Sequence, residues 1–134
     1  MRSRFAHILS EAPSEIIRRT RAGIPVAAIH EVAIILEISD HRLCKALRIR
    51  RPKLNQGKSP AGILTIDGGD RLLRVLKVFE RASDVLGGQD SGRQWLCRAV
   101  RSLGGVQPLS LLDTGVGYRC VMDALGRIEH GFAA

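Results

Sequence analysis

The chain has 134 residues, 45% of them hydrophobic, and carries 21 Lys and Arg against 13 Asp and Glu, a formal net charge of +8. That length accommodates one compact domain or two very small ones, and the apolar share suffices for a core. No apolar run approaches the roughly eighteen residues that a membrane span needs, so no membrane role is expected.

The opening stretch, MRSRFAHILSEAPSE, has two arginines, but Ser10 and Glu11 interrupt the apolar residues behind them. A signal peptide is therefore not expected, and residues 1–12 read as a flexible N-terminal arm. Pro13, Ser14 and Glu15 open a helix that runs to Ala22 and stops at Gly23. Residues 25–37 form a second helix, opened by Pro25, with Val26, Ile29, Ala33 and Leu36 on one face. The third, 39–47, takes Ser39 or Asp40 as its cap and turns Leu43, Cys44 and Leu47 inward. The stretch 48–62 is polar, basic and rich in helix breakers.

Thr65 caps a new helix start, and a long helix covers about Asp70 to Leu86. Its stripe is Leu72, Val75, Leu76, Phe79, Ala82 and Leu86. Asp90 caps the next helix, 91–102, which brings Trp95, Leu96 and Ala99 together. Gly104 and Gly105 end it, and Pro108 opens a short helix over QPLSLL. Asp113, Thr114 and Gly115 make a turn, and the last helix spans 116–129. Sustained period-two alternation is missing and only five residues are aromatic, so the fold class is all-α. The three Gly-Gly pairs, 68–69, 87–88 and 104–105, follow no strand and precede no Lys-Ser/Thr, so they read as punctuation between helices rather than phosphate loops.

Cys44, Cys97 and Cys120 are odd in number, far apart and set among apolar neighbours, the pattern of buried free thiols in a cytoplasmic protein. The histidines show no ligand spacing, so no metal is expected. Nor is there a nucleophile–base pair or a carboxylate dyad. No catalytic residue, no enzyme activity and no cofactor are expected.

The charge is unevenly placed. Residues 1–64 hold 12 Lys and Arg against 5 Asp and Glu, whereas residues 65–134 hold 9 against 8. Between Asp40 and Asp67 there is no acid, but there are seven cations: Arg42, Lys45, Arg48, Arg50, Arg51, Lys53 and Lys58. This reads as a helix-turn-helix, with helix Ser39–Leu47, a turn at Arg48–Arg50 and a recognition helix near Arg51–Gln56. The DNA-binding candidates are Arg48, Arg50, Arg51, Lys53, Asn55, Gln56 and Lys58, the cations for phosphates and Asn55 and Gln56 for adenine edges. Against this, Arg48 stands where the turn favours Gly, and Gly57 where an apolar anchor is usual.

The second half carries SPAGILTIDGGDRLLRVLKVFERASDVLGG, then GRQWL, then LGGVQPLSLLDTGVGYRCVMDALGRIEHGF. In order and spacing these phrases resemble the Xre/MbcA/ParS family of antitoxins, partners of RES-domain toxins. The resemblance covers about residues 24–132 and is strongest over 64–132. It implies an Xre-like helix-turn-helix domain over 13–63 and a toxin-binding domain over 64–134. It further implies a type II antitoxin, dimeric, that blocks the active-site cleft of a toxin consuming NAD, by degradation or ADP-ribose transfer, and that represses its own operon. The first half departs from the family, which carries Ser/Thr and an arginine pair where this chain has Arg50-Arg51-Pro52-Lys53. The alternative is a stand-alone dimeric helix-turn-helix regulator of transcription.

The chain's end, LGRIEHGFAA, supplies the toxin-binding candidates. Leu125 and Ile128 continue the buried stripe and Gly131 is suited to a helix cap. Arg127, Glu129, His130 and Phe132 are then left to meet a partner, or Arg127 and His130 to complement the helix dipole, and Tyr118 sits either on the core or at the interface. Arg127 offers a planar fork of donors, and Phe132 an aromatic anchor.

Overall fold

The computed structural model describes residues 5–50 and 62–131. These form six α-helices and three short 3-10 turns: α1 (Pro13–Ala22), α2 (Ala27–Leu36), α3 (Asp40–Leu47), α4 (Ile66–Leu86), α5 (Gln89–Leu96) and α6 (Gly115–Glu129). Strand pairing among the described residues is limited to two isolated bridges, Pro25 with Ile63 and Val100 with Val106. The all-α class read from the pattern is the observed one. Residue contacts divide the chain into two compact units, Met1–Leu73 and Arg74–Ala134, with the boundary inside α4.

In the first unit, α1 begins with Pro13 at its N-terminus, where a missing N–H costs nothing, and Gly23 ends it at φ 112°. Residues 62–64 then clip back beside 24–26, through Val26 N–H to the Gly62 carbonyl (3.1 Å) and Leu64 N–H to the Ile24 carbonyl (2.7 Å). α2 and α3 pack together, joined by Glu37, Ile38 and Ser39. Glu37 takes the left-handed conformation (φ 57°), and the Ser39 hydroxyl accepts the N–H of Arg42 at 3.0 Å. Such a cap stabilises a short helix by about 1 kcal/mol. Val32, Leu36, Leu43 and Leu47 are fully buried or nearly so. So are Phe5 and Ile8, and the Phe5 N–H donates to Glu31 at 3.3 Å. These residues of the expected flexible arm are packed, because their apolar side chains contribute to this small core.

The second unit is built on the later turns of α4. Val75, Val78, Phe79 and Ala82 are buried there, with Trp95 and Leu96 of α5, Leu109, Leu112, and Val121, Ala124 and Leu125 of α6. Arg74 donates to the Leu112 carbonyl at 3.1 Å, and Arg93 sits 6.0 Å over the Phe79 ring. The Thr114 hydroxyl accepts the Gly117 N–H at 3.0 Å and starts α6. The 3-10 turn Pro108–Leu111 and the 3-10 turn Arg101–Leu103 both contact α6.

Several local expectations change. The helix from Thr65 is one uninterrupted element to Leu86, so Gly68 and Gly69 lie inside it and are buried, not in a break between helices. The reason is packing: a Cβ at Gly69 would lie 2.9 Å from Ile24 Cγ1. Asp70 accordingly stands inside α4 rather than at the start of the long helix. α5 ends at Leu96 instead of 102, which leaves Ala99 exposed and turns Val100 inward. Of the thiols, Cys44 is buried, Cys97 is half-buried and Cys120 is exposed, since α6 buries the face of Val121 and Leu125 instead.

The tightest approach in this unit is at Gly117, where a Cβ would lie 1.9 Å from the Leu111 carbonyl oxygen. Backbone cannot yield as a side chain does, so Gly117→Ala should destabilise the protein by roughly 1–3 kcal/mol. Thermal unfolding of the variant beside Gly126→Ala, a helical glycine with nothing within 4 Å of an added Cβ, checks this. The second change should be neutral or slightly stabilising.

Candidate functional site

Two surfaces carry the residues that the sequence singled out. The first is the C-terminal end of α6. Its buried face is Gly117, Val121, Ala124 and Leu125, while Ile128 is only half-buried. At the last turn Arg81 of α4 meets Glu129 with both arms of its guanidinium: Nη1 to Oε2 at 2.9 Å and Nη2 to Oε1 at 2.5 Å. The hydrogen bond from Arg81 holds the Glu129 carboxyl below its ordinary range, with the charge of His130 a smaller contribution in the same direction. The guanidinium is raised in turn by Glu129.

This pairing sorts the candidates. Glu129 is committed to Arg81 and acts as a pin for the helix end. His130 is exposed, with Nε2 3.9 Å from the same carboxylate. Arg127 is exposed three residues before it, so the two lie on adjoining parts of the helix surface. Gly131 turns the chain at φ 80°, with its N–H on the Ile128 carbonyl at 3.1 Å, as a helix end requires. Tyr118 is half-buried near the other end of α6. At 1.5 Å per residue it stands about 14 Å along the axis from Arg127, so it is not part of the same cluster. Phe132 lies outside the described residues. Among its described residues the second unit also exposes two large apolar side chains, Val106 and Val116, which the sequence did not mark.

The second surface is on α3. The link Glu37–Ser39 makes α2 and α3 a pair of packed helices joined by three residues, one element earlier than the expected turn at Arg48–Arg50. α3 therefore stands second in the pair. His41, Arg42 and Lys45 are exposed along it, opposite buried Leu43, Cys44 and Leu47. Arg48 ends α3 in the left-handed conformation at φ 54°, and both Arg48 and Arg50 are exposed. The His30 ring lies 2.9 Å from the Asp40 carboxylate at the start of α3. Arg51, Lys53, Asn55, Gln56 and Lys58, with the expected recognition helix, lie outside the described residues.

Among the described residues, neither surface groups acids, bases or nucleophiles in a reactive arrangement. Both present exposed cations on a helix surface, which suits binding.

Comparison with known proteins bears on both. The family described as the antitoxin Xre/MbcA/ParS C-terminal toxin-binding domain matches residues 81–131, a span that begins at Arg81 and ends past Glu129. An "Antitoxin Xre" of Photorhabdus laumondii is 32% identical over 113 residues, covering 84% of this chain and 76% of the relative. Another "Antitoxin Xre", of Yersinia enterocolitica, is 29% identical over 118 residues, covering 87% and 79%. A "Prs ADP-ribosylating antitoxin" of Sphingobium is 24% identical over 131 residues, covering 90% and 81%.

The Arg81–Glu129 pair has a pH signature. Because the Glu129 carboxyl is lowered in the folded protein, the pair is fully formed above the ordinary carboxylate range and is lost as the pH falls below it. In Arg81→Met the Glu129 titration, followed by carboxyl NMR, should rise towards the unperturbed value of about 4.3. The amides of Arg127 and His130 should shift with it.

Proposed function

This chain belongs to the Xre/MbcA/ParS antitoxin family, and we propose that its C-terminal unit neutralises a RES-domain toxin by covering the toxin's active-site cleft. As an antitoxin with a toxin-binding domain, it works by occupying a partner's surface. The observation that carries the finer reading is the end of α6. Within the matched domain, Arg81 fixes Glu129, and Arg127 and His130 stand exposed beside it. A cleft that takes NAD holds polar and anionic-ligand groups, and a guanidinium presented on a pinned helix end is a rigid donor for them. The exposed Val116 and the half-buried Tyr118, near the start of α6, are a separate candidate contact on the same helix. The name of the Sphingobium relative fits a partner whose chemistry uses NAD as an ADP-ribose donor.

A second role in the same protein is favoured by α3. Its exposed His41, Arg42 and Lys45 follow a three-residue link from a packed helix, and the acid-free run from Asp40 to Asp67 continues the positive charge through Arg48 and Arg50. We read this as operator binding by a dimer, with α3 as the helix that meets the groove. That assignment moves the sequence-derived one by one helix.

Two experiments separate the roles. Co-expression with the toxin of the adjacent reading frame should restore growth, and Arg127→Ala with His130→Ala should weaken complex formation by about 2 kcal/mol, roughly thirtyfold. A partner that is harmless alone, or that remains toxic beside the intact antitoxin, removes the proposal. In gel shifts across salt concentrations, Arg42→Ala and Lys45→Ala should each weaken operator binding and lower the salt slope by about one. Toxin binding should not respond to them.

A further inference from the structure

Away from its buried face, α6 carries a row of four exposed side chains, Val116, Cys120, Asp123 and Arg127. Their spacing is i, i+4, i+7 and i+11. At about 100° and 1.5 Å per residue they fall within roughly 60° of the helix circumference and extend over about 16 Å. The row changes character along its length. Val116 is 63% exposed, and Cys120, a small apolar side chain, follows one turn later. The rest is ionic: Arg119, exposed beside the row, Asp123 and Arg127 stand four residues apart and alternate in sign. Charges one turn apart on an exposed helix attract each other only weakly through water, so a partner can take them up at little cost.

Single exposed apolar residues are common on helices, but here one heads a row with the spacing of a helix that docks into a groove. α6 lies whole within residues 81–131, the span matched by the toxin-binding domain, so the occupant to consider is the toxin. The Thr114 cap and the Arg81–Glu129 pair secure the two ends of the helix, which presents the row in a fixed line before contact. We propose that the toxin receives this row in a groove. One end of the groove is a shallow apolar pocket for Val116 and Cys120. The other holds a basic group for Asp123, flanked by acidic groups for Arg119 and Arg127. This rests on the toxin-binding role proposed above. Recognition then runs along α6 from Val116 to Arg127, not only at the helix end, and the order of charges decides which toxin is accepted.

The test uses the full-length chain and its complex with the toxin of the adjacent reading frame. In the free protein the exposed Cys120 thiol should react with N-ethylmaleimide. In the complex that rate, followed by peptide mass spectrometry, should fall at least about tenfold, a readout that needs no substitution. Val116→Asp and Asp123→Lys should each weaken toxin binding by calorimetry more than about tenfold, with circular dichroism unchanged because both sites are exposed. Glu80→Lys, the same change of charge at an exposed position of α4, should leave binding as it is. A complex in which Cys120 reacts at its free rate, or in which both substitutions bind like the intact chain, overturns this face and leaves toxin binding to another part of the unit. Equal weakening by Glu80→Lys and Asp123→Lys overturns it too, since net charge would then govern affinity. If the intact chain forms no complex with the toxin, the toxin-binding role falls, and this docking face with it.

Discussion

The C-terminal unit rests on how closely α6 can lie over the turn Pro108–Leu111. Gly117 puts its α-carbon where any side chain would strike the Leu111 carbonyl, and the Thr114 hydroxyl caps the helix one turn earlier. The start of α6 is thereby set in position and direction. From there a straight helix places Val121, Ala124 and Leu125 in the core and carries its last turn to where Arg81 can grip Glu129. Without that close seat the helix would stand off from the turn, and the pairing at its far end would be lost.

The grip on Glu129 matters more for geometry than for stability. Both side chains are partly exposed, about 33% and 42%, and ion pairs in water are screened and weak. A two-armed pair still restricts direction, because both donors and both acceptors must stay in one plane. A binding surface gains from that restriction. Side chains held in place before contact lose less freedom when the partner arrives. The same logic applies to the N-terminal unit, where Ser39 caps α3 and Arg71 satisfies the carbonyl at its far end. Both ends of the short cationic helix are thus secured.

Each unit keeps its candidate functional groups on helix ends and exposed helix faces, and its apolar groups beneath them. This division explains why the basic residues gather in the first half. α3 is only eight residues long, so its three inward side chains already satisfy the core and its outer positions can carry charge. In the second half the acids and bases nearly balance, as suits a toxin-binding domain.

Much of this was legible in the residue order. Helix starts at Pro13, Ser39, Thr65 and Thr114, the stops at Gly23 and Gly131, and the stripe of α4 follow from local rules about caps and period. So did the family, since its phrases are a matter of order and spacing. Phe5 and Ile8 were misread because apolar residues near a chain start carry no local sign of docking, and Gly68 and Gly69 because a glycine pair is the same in a helix as in a break. The close pairing of α2 with α3 carries no such local sign, because Glu37 turns the chain in a conformation usually left to glycine. What the tertiary structure alone decided are the contacts between distant residues. Arg81 and Glu129 stand 48 positions apart, and Arg71 and Arg48 stand 23 apart. No periodicity spans such distances. They arise only when helices have packed, because packing, not sequence neighbourhood, brings those side chains within reach of one another.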